Sequence, residues 1–235
     1  HYINRARTLA KERSLTRFDP NINTAFAQYY YYNNDYQKSI EETLKNLVIA
    51  ERQGNDRLLA KTYNNLAATY NHFGNYKSAI DYVLKCLALS ERTGDSASFA
   101  IRNLTASNTY YNLKQYEKSI AYSKKAIAFG RHFNNSFAVM MGLNNMGAAY
   151  SDLNNIDTAI FIFGQQLDFA RKEHDVVNVC YALINLCQNH FSNGDASAVE
   201  RYSSMLSDVV DEIPDRKTIA EIHNVMALRY VLRRD

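Results

Sequence analysis

Tyr36, Tyr76 and Tyr116 stand forty residues apart. Tyr30, Tyr70, Tyr110 and Tyr150 keep the same interval, as do Ile40, Ile80, Ile120 and Ile160. Three ladders in one phase mean that one small unit recurs along the chain. Such a unit cannot bury its apolar face alone, so its copies must stack on one another. With only two prolines and eight glycines in 235 residues, breakers are scarce, and long helices joined by short turns are the favoured elements.

The clearest unit runs from Leu59 to Gly94. Tyr63, Leu66, Ala67 and Tyr70 fall at spacings of three, one and three, which places them on one side of a helix. Phe73-Gly74-Asn75 interrupts the pattern, and Gly74 suits a left-handed helix end, a conformation that Asn also tolerates. Tyr76 restarts it, and Ala79, Ile80, Val83, Leu84 and Leu87 form the next apolar stripe. The same turn recurs as Asn34-Asp35, Lys114-Gln115 and Asn154-Asn155. The closing turn recurs as Gly54-Asn55, Gly94-Asp95, Asn134-Asn135 and His174-Asp175.

This pattern predicts one all-α domain over 1–235, an αα superhelix of antiparallel helix pairs. Its units span about 20–55, 58–95, 98–135, 138–175 and 177–211, with partial units at 1–16 and 216–235. The fifth unit is weaker, because Ala196 and Glu200 replace the ladder tyrosine and isoleucine. Both ends read as cut inside a repeat, which predicts a longer parent protein.

The formal charge is +3, too small an excess to announce a nucleic-acid surface. The basic residues near the start, Arg5 to Arg17, are interrupted by Glu12 and read as a solvated helix face. No apolar run is long enough to span a membrane, and no signal peptide is visible. Cys86, Cys180 and Cys187 fall among apolar helical positions and read as buried thiols; they form no metal pattern. Unpaired thiols favour a reducing, cytoplasmic setting, while a periplasmic sensor domain also fits. His72 and Asp152 lie two units apart, with no Ser or Cys nucleophile arranged beside them. There is no phosphate loop and no HExxH motif. The reading is of a chain that is not an enzyme and uses no cofactor or metal.

Tyr63, Leu66-Ala67, Tyr70, Gly74, Tyr76, Ala79-Ile80 and Cys86-Leu87 resemble the signature of the tetratricopeptide repeat. Leu143, Met146-Gly147, Tyr150, Ala159-Ile160 and Leu167 repeat it in phase. The period is forty rather than the usual thirty-four, and no proline closes a unit. Longer helices or longer turns must absorb the difference. Forty-residue versions resemble those of bacterial sensor, transcription-regulator and peptide-responsive proteins.

The resemblance implies that the first helix of each pair lines a concave face that takes a protein or an extended peptide. Carried onto this chain, it assigns Asn64, Asn65, Asn71 and His72 to that face, with Gln28, Tyr31 and Tyr32 one unit earlier. The next unit contributes Asn108, Tyr111 and Asn112. Asn144, Asn145 and Asp152 follow, then Asn185 and Gln188. Carboxamides both donate and accept, so they can pair with a peptide backbone, and tyrosines add flat contact area. The competing reading is that one Asn of each pair bonds a neighbouring helix while the other is solvated. Only Lys61 approaches the family's clamp for a terminal carboxylate, so an acidic tail is not the expected ligand.

The resulting expectation is a protein- or peptide-binding scaffold or ligand-sensing module of a larger, bacterial regulatory protein, with no direct nucleic-acid contact. Two alternatives stand beside it: a structural or oligomerisation module, including a homodimer through open end repeats, and a regulator that docks on a phosphorelay protein or a DNA-binding domain.

Overall fold

The computed structural model describes residues 5, 8, 9 and 12, and then 20–94, 98–213 and 216–231. The expected partial unit at 1–16 therefore lies almost wholly outside the described residues. Every regular element described is helical. We number the helices α1 (Pro20–Tyr32), α2 (Tyr36–Gln53), α3 (Asp56–Phe73), α4 (Tyr76–Thr93) and α5 (Phe99–Asn112). Then come α6 (Tyr116–His132), α7 (Ser136–Asp152), α8 (Ile156–Lys172), α9 (Val176–Ser192), α10 (Ala196–Val209) and α11 (Arg216–Val231). A 3-10 turn, Val210–Glu212, follows α10. The fold is all-α and built of antiparallel helix pairs. It divides into two compact units, His1–Leu113 and Lys114–Asp235, each described here by itself.

The six residues by which the period exceeds thirty-four are taken up by the helices. Helices α2, α3 and α4 have 18 residues each, and α6 to α9 have 17. The links stay short, with only Gly74 and Asn75 between α3 and α4. A left-handed residue recurs at every twentieth position, namely Asn34, Gly54, Gly74, Gly94, Lys114, Asn134, Asn154, His174 and Gly194, with φ between 51° and 81°.

The residue after it serves two helices at once. The amide of Asn75 donates to the Tyr70 carbonyl at 3.0 Å, closing α3, while its side chain accepts from the amide of Ser78 at 3.1 Å, opening α4. Asp35, Asn55, Asn135, Asp175 and Asp195 do the same. Helix ends that would leave orphan donors and acceptors are satisfied in this way.

Packing follows the ladders. Ser39, Ala79, Ser119, Ala159 and Val199 are all buried, and at the first of them the Ser39 hydroxyl donates to the Ala27 carbonyl at 2.9 Å. Small residues there let backbones approach, while tyrosines and isoleucines fill the flanks. In the second unit the core runs through Phe163, Leu183, Leu186, Cys187, Leu206 and Ile222. Gly147 on α7 lies under the Phe163 ring of α8, and a Cβ at that glycine would stand 2.6 Å from Phe163 Cε1. In the first unit the corresponding pair, eighty residues earlier, is Ala67 and Val83, both buried. A larger small residue thus accompanies a smaller large one.

Cys86, Cys180 and Cys187 are buried, and no disulfide joins them. The Cys86 thiol donates to the Ala60 carbonyl at 3.2 Å. Burial pushes Cys180 and Cys187 up to about 11.

Candidate functional site

In the first unit α1, α2 and α3 line an open pocket of about 160 Å³. It brings together four residues expected from the sequence: Gln28, Tyr31 and Tyr32 of α1 and Asn65 of α3. Thr24, Gln28 and Tyr31 share one face of α1 at spacings of four and three; Asn65, Ala68 and His72 share one face of α3.

The threonine and serine hydroxyls around the pocket are already committed to main chain. Thr24 donates to the Pro20 carbonyl (2.7 Å), Thr43 to Ser39 (2.8 Å) and Thr69 to Asn65 (2.9 Å). The carboxamides of Gln28 and Asn65 have no hydrogen-bond partner among the described residues. None of the ten lining residues carries a charge.

One end of the pocket is aromatic. The Tyr31 ring meets Tyr32 at 5.6 Å, Tyr36 at 5.8 Å and the His72 imidazole at 5.1 Å, all edge-on. His72 also stacks on Tyr36 at 5.8 Å, and the Tyr36 hydroxyl donates to Asn34 Oδ1 at 2.8 Å. Burial, and then the neighbouring Tyr36 and Tyr32, raises the Tyr31 phenol above its ordinary range.

Asn64, Asn108, Tyr111 and Asn112 are half-buried on α3 and α5. Asn64, Asn108 and Asn112 have no hydrogen-bond partner among the described residues. Asn71 differs from the expectation. It is 5% exposed, and its amide donates to Thr109 Oγ1 of α5 at 2.7 Å, so it joins two helices instead of lining an open face. Its own Oδ1 is left without a partner.

In the second unit the Asn185 amide of α9 donates to Asn144 Oδ1 of α7 at 3.0 Å, a helix-to-helix bond between two residues expected on the binding face. Asn145 is half-buried, while Asp152 and Gln188 are exposed. The Tyr116 phenol is raised by burial, then by the Asp152 carboxylate and its hydrogen bond. His190, which replaces the ladder tyrosine, packs 5.4 Å from the Tyr202 ring, and its Nδ1 stands 3.2 Å from Asp195 Oδ2.

The sequence reading passed over the apolar start of these faces. Phe137 lies seven residues before Asn144, and Tyr181 four before Asn185, on the same helix sides. Phe137, Val177 and Tyr181 are exposed, at 61%, 40% and 37%. The available signal was the helical spacing itself, read back one more turn.

Among the described residues no group of three or more His, Cys, Asp or Glu could hold a metal, and no helix is long and apolar enough to cross a membrane.

Stacked αα-hairpins with amide-rich first helices define a helical repeat scaffold, a fold resembling those of protein- and peptide-binding regulators. Residues 20–92 and 103–129 match models of the tetratricopeptide repeat. No curated protein matches the sequence significantly.

Among solved structures it is similar to a signal-transduction ATPase with a tetratricopeptide repeat sensor from Pyrococcus horikoshii. The TM-score is 0.79 at 15% identity, over 90% of this chain and 32% of that one, so the chain spans about a third of that protein. It is also similar to the apo form of RapI (TM-score 0.69, 17% identity, 97% of this chain and 89% of that one). A third is NprR in complex with its cognate peptide NprX (0.69, 16%, 97% and 65%). At these identities the likeness is one of fold.

Proposed function

We propose that the chain is a peptide-binding sensor module of a larger regulatory protein. The observation that carries this is the set of carboxamides in the first unit. Gln28, Asn64, Asn65, Asn108 and Asn112 stand on the first helices of three successive hairpins, with no hydrogen-bond partner among the described residues. Asn is a mediocre helix former, so its repetition there has little local advantage. Its use is to meet both the N–H and the C=O of a backbone laid across the helices. The likeness to NprR, solved with its cognate peptide, and to an ATPase named for its repeat sensor supports the same reading.

The test is a selection of displayed random peptides against the intact chain, followed by titration of the selected peptides into Asn64→Ala and Asn108→Ala variants. Each truncation is expected to weaken binding by about 1–3 kcal/mol with folding unchanged. Selected peptides that bind both variants like the parent, or no selectable peptide, would remove the proposal.

A further inference from the structure

The pocket between α1, α2 and α3 has a definite chemical preference, and this inference rests on the peptide-binding reading. We infer that it receives one uncharged ring or branched aliphatic side chain of the bound peptide, while Gln28 and Asn65 hold the peptide groups on either side of that residue.

Three observations lead there. The first is size: at about 160 Å³ the pocket is close to a cavity of about 150 Å³ known to accept benzene. The second is charge. No lining residue carries an opposite charge for an ammonium, guanidinium or carboxylate, and neutral amides and hydroxyls repay the lost hydration of an ion only in part. The third is the distribution of hydrogen-bonding capacity. Thr24, Thr43 and Thr69 have already given their protons to main-chain carbonyls, so they offer no donor to a polar side chain. The free donors are the carboxamides of Gln28 and Asn65 and the tyrosine hydroxyls. The Tyr31 and Tyr32 rings, set edge-on to each other, offer an aromatic guest both a face and an edge.

The experiment uses single-residue probes, each flanked by two amide groups: the N-acetyl methylamides of phenylalanine, leucine, glutamate and lysine. They are titrated into the isotope-labelled full chain and followed by amide NMR. The phenylalanine and leucine probes are expected to shift the amides of Ala27, Ala68 and Thr69 saturably, in the millimolar range, and the charged probes at least about tenfold more weakly. Ala68→Leu, which fills the pocket, should abolish the response. Tyr32→Ser, at a site 79% exposed and so without consequence for folding, should weaken the phenylalanine probe more than the leucine one.

Equal response to charged probes, no response at those amides, or an unchanged response in Ala68→Leu would each overturn the inference. The two readings fail separately. Peptides that need Asn64 and Asn108 but tolerate a charged residue at every position would sink the pocket preference and keep peptide binding. Saturable phenylalanine binding in a chain that selects no peptide would support the pocket and remove the peptide reading.

Discussion

Among the described residues, Gln166 is the one buried amide with neither end bonded. It is 0% exposed, and neither its Nε2 nor its Oε1 finds a partner. The equivalent Asn46, three units earlier, donates to the Pro20 carbonyl at 3.0 Å and accepts from Asn23 at 3.0 Å, while Cys86 and Ala126 ask for less or nothing. A buried amide without partners costs about 1–3 kcal/mol, so Gln166→Leu should raise stability by that order in urea unfolding. A loss would show that the amide is satisfied in solution. The Gly147–Phe163 contact makes a second prediction. Gly147→Ala alone should destabilise by about 1–3 kcal/mol, and Phe163→Val added to it should recover part of the loss, because together they recreate the Ala67–Val83 pair. Strictly additive losses would contradict this account. The packing ladders were legible because tyrosine and isoleucine repeat visibly. Gln166 was hidden because its column, Asn46, Cys86, Ala126, Gln166 and Leu206, shares burial but no chemistry. Asn71 was misplaced for a related reason: helical spacing gives a side, but not which neighbour covers it.

At the scale of the helix, the left-handed links decide where each element stops. Gly54, Gly74, Gly94 and Gly194 suit such a φ, whereas His174 holds it at 55° with its Cβ crowded against the following carbonyl oxygen. His174→Gly should therefore stabilise by about 0.5–1 kcal/mol, read as a higher midpoint of thermal unfolding. Asn135→Ala should cost about 1 kcal/mol, since it removes the acceptor for the Ala138 amide. The aspartate caps add a pH term. Asp195 is held below its ordinary value by the amide of Ala198 and then by His190, and Asp35 by Lys38. Folded values below the unfolded 3.8 mean that their contribution is complete above that value and is lost as pH falls through the folded ones. Replacing Asp195 with Asn should flatten the acid limb of stability below the unfolded value of 3.8. An unaltered limb would deny the cap its role. Glycine and asparagine announced most of these turns in the sequence. Lys114 and His174 were recognisable only by their place in the series.

For the whole molecule, the forty-residue period sets the architecture and the unpartnered amides set the expected use. Fold was the more legible of the two, because burial imposes a rhythm that a single sequence displays. Binding residues impose none: the Asn144–Asn185 bond shows that an amide on the right helix side can be spent on a neighbour. The shared links carry one more consequence. Since the residue that closes one helix also opens the next, a link has no slack to absorb a length change. One extra residue inside a helix would rotate everything beyond it by about 100° and carry tyrosines into solvent. Length can therefore drift only in whole hairpins, so a lineage of such chains should differ by copies gained or lost, and scarcely at all by single insertions.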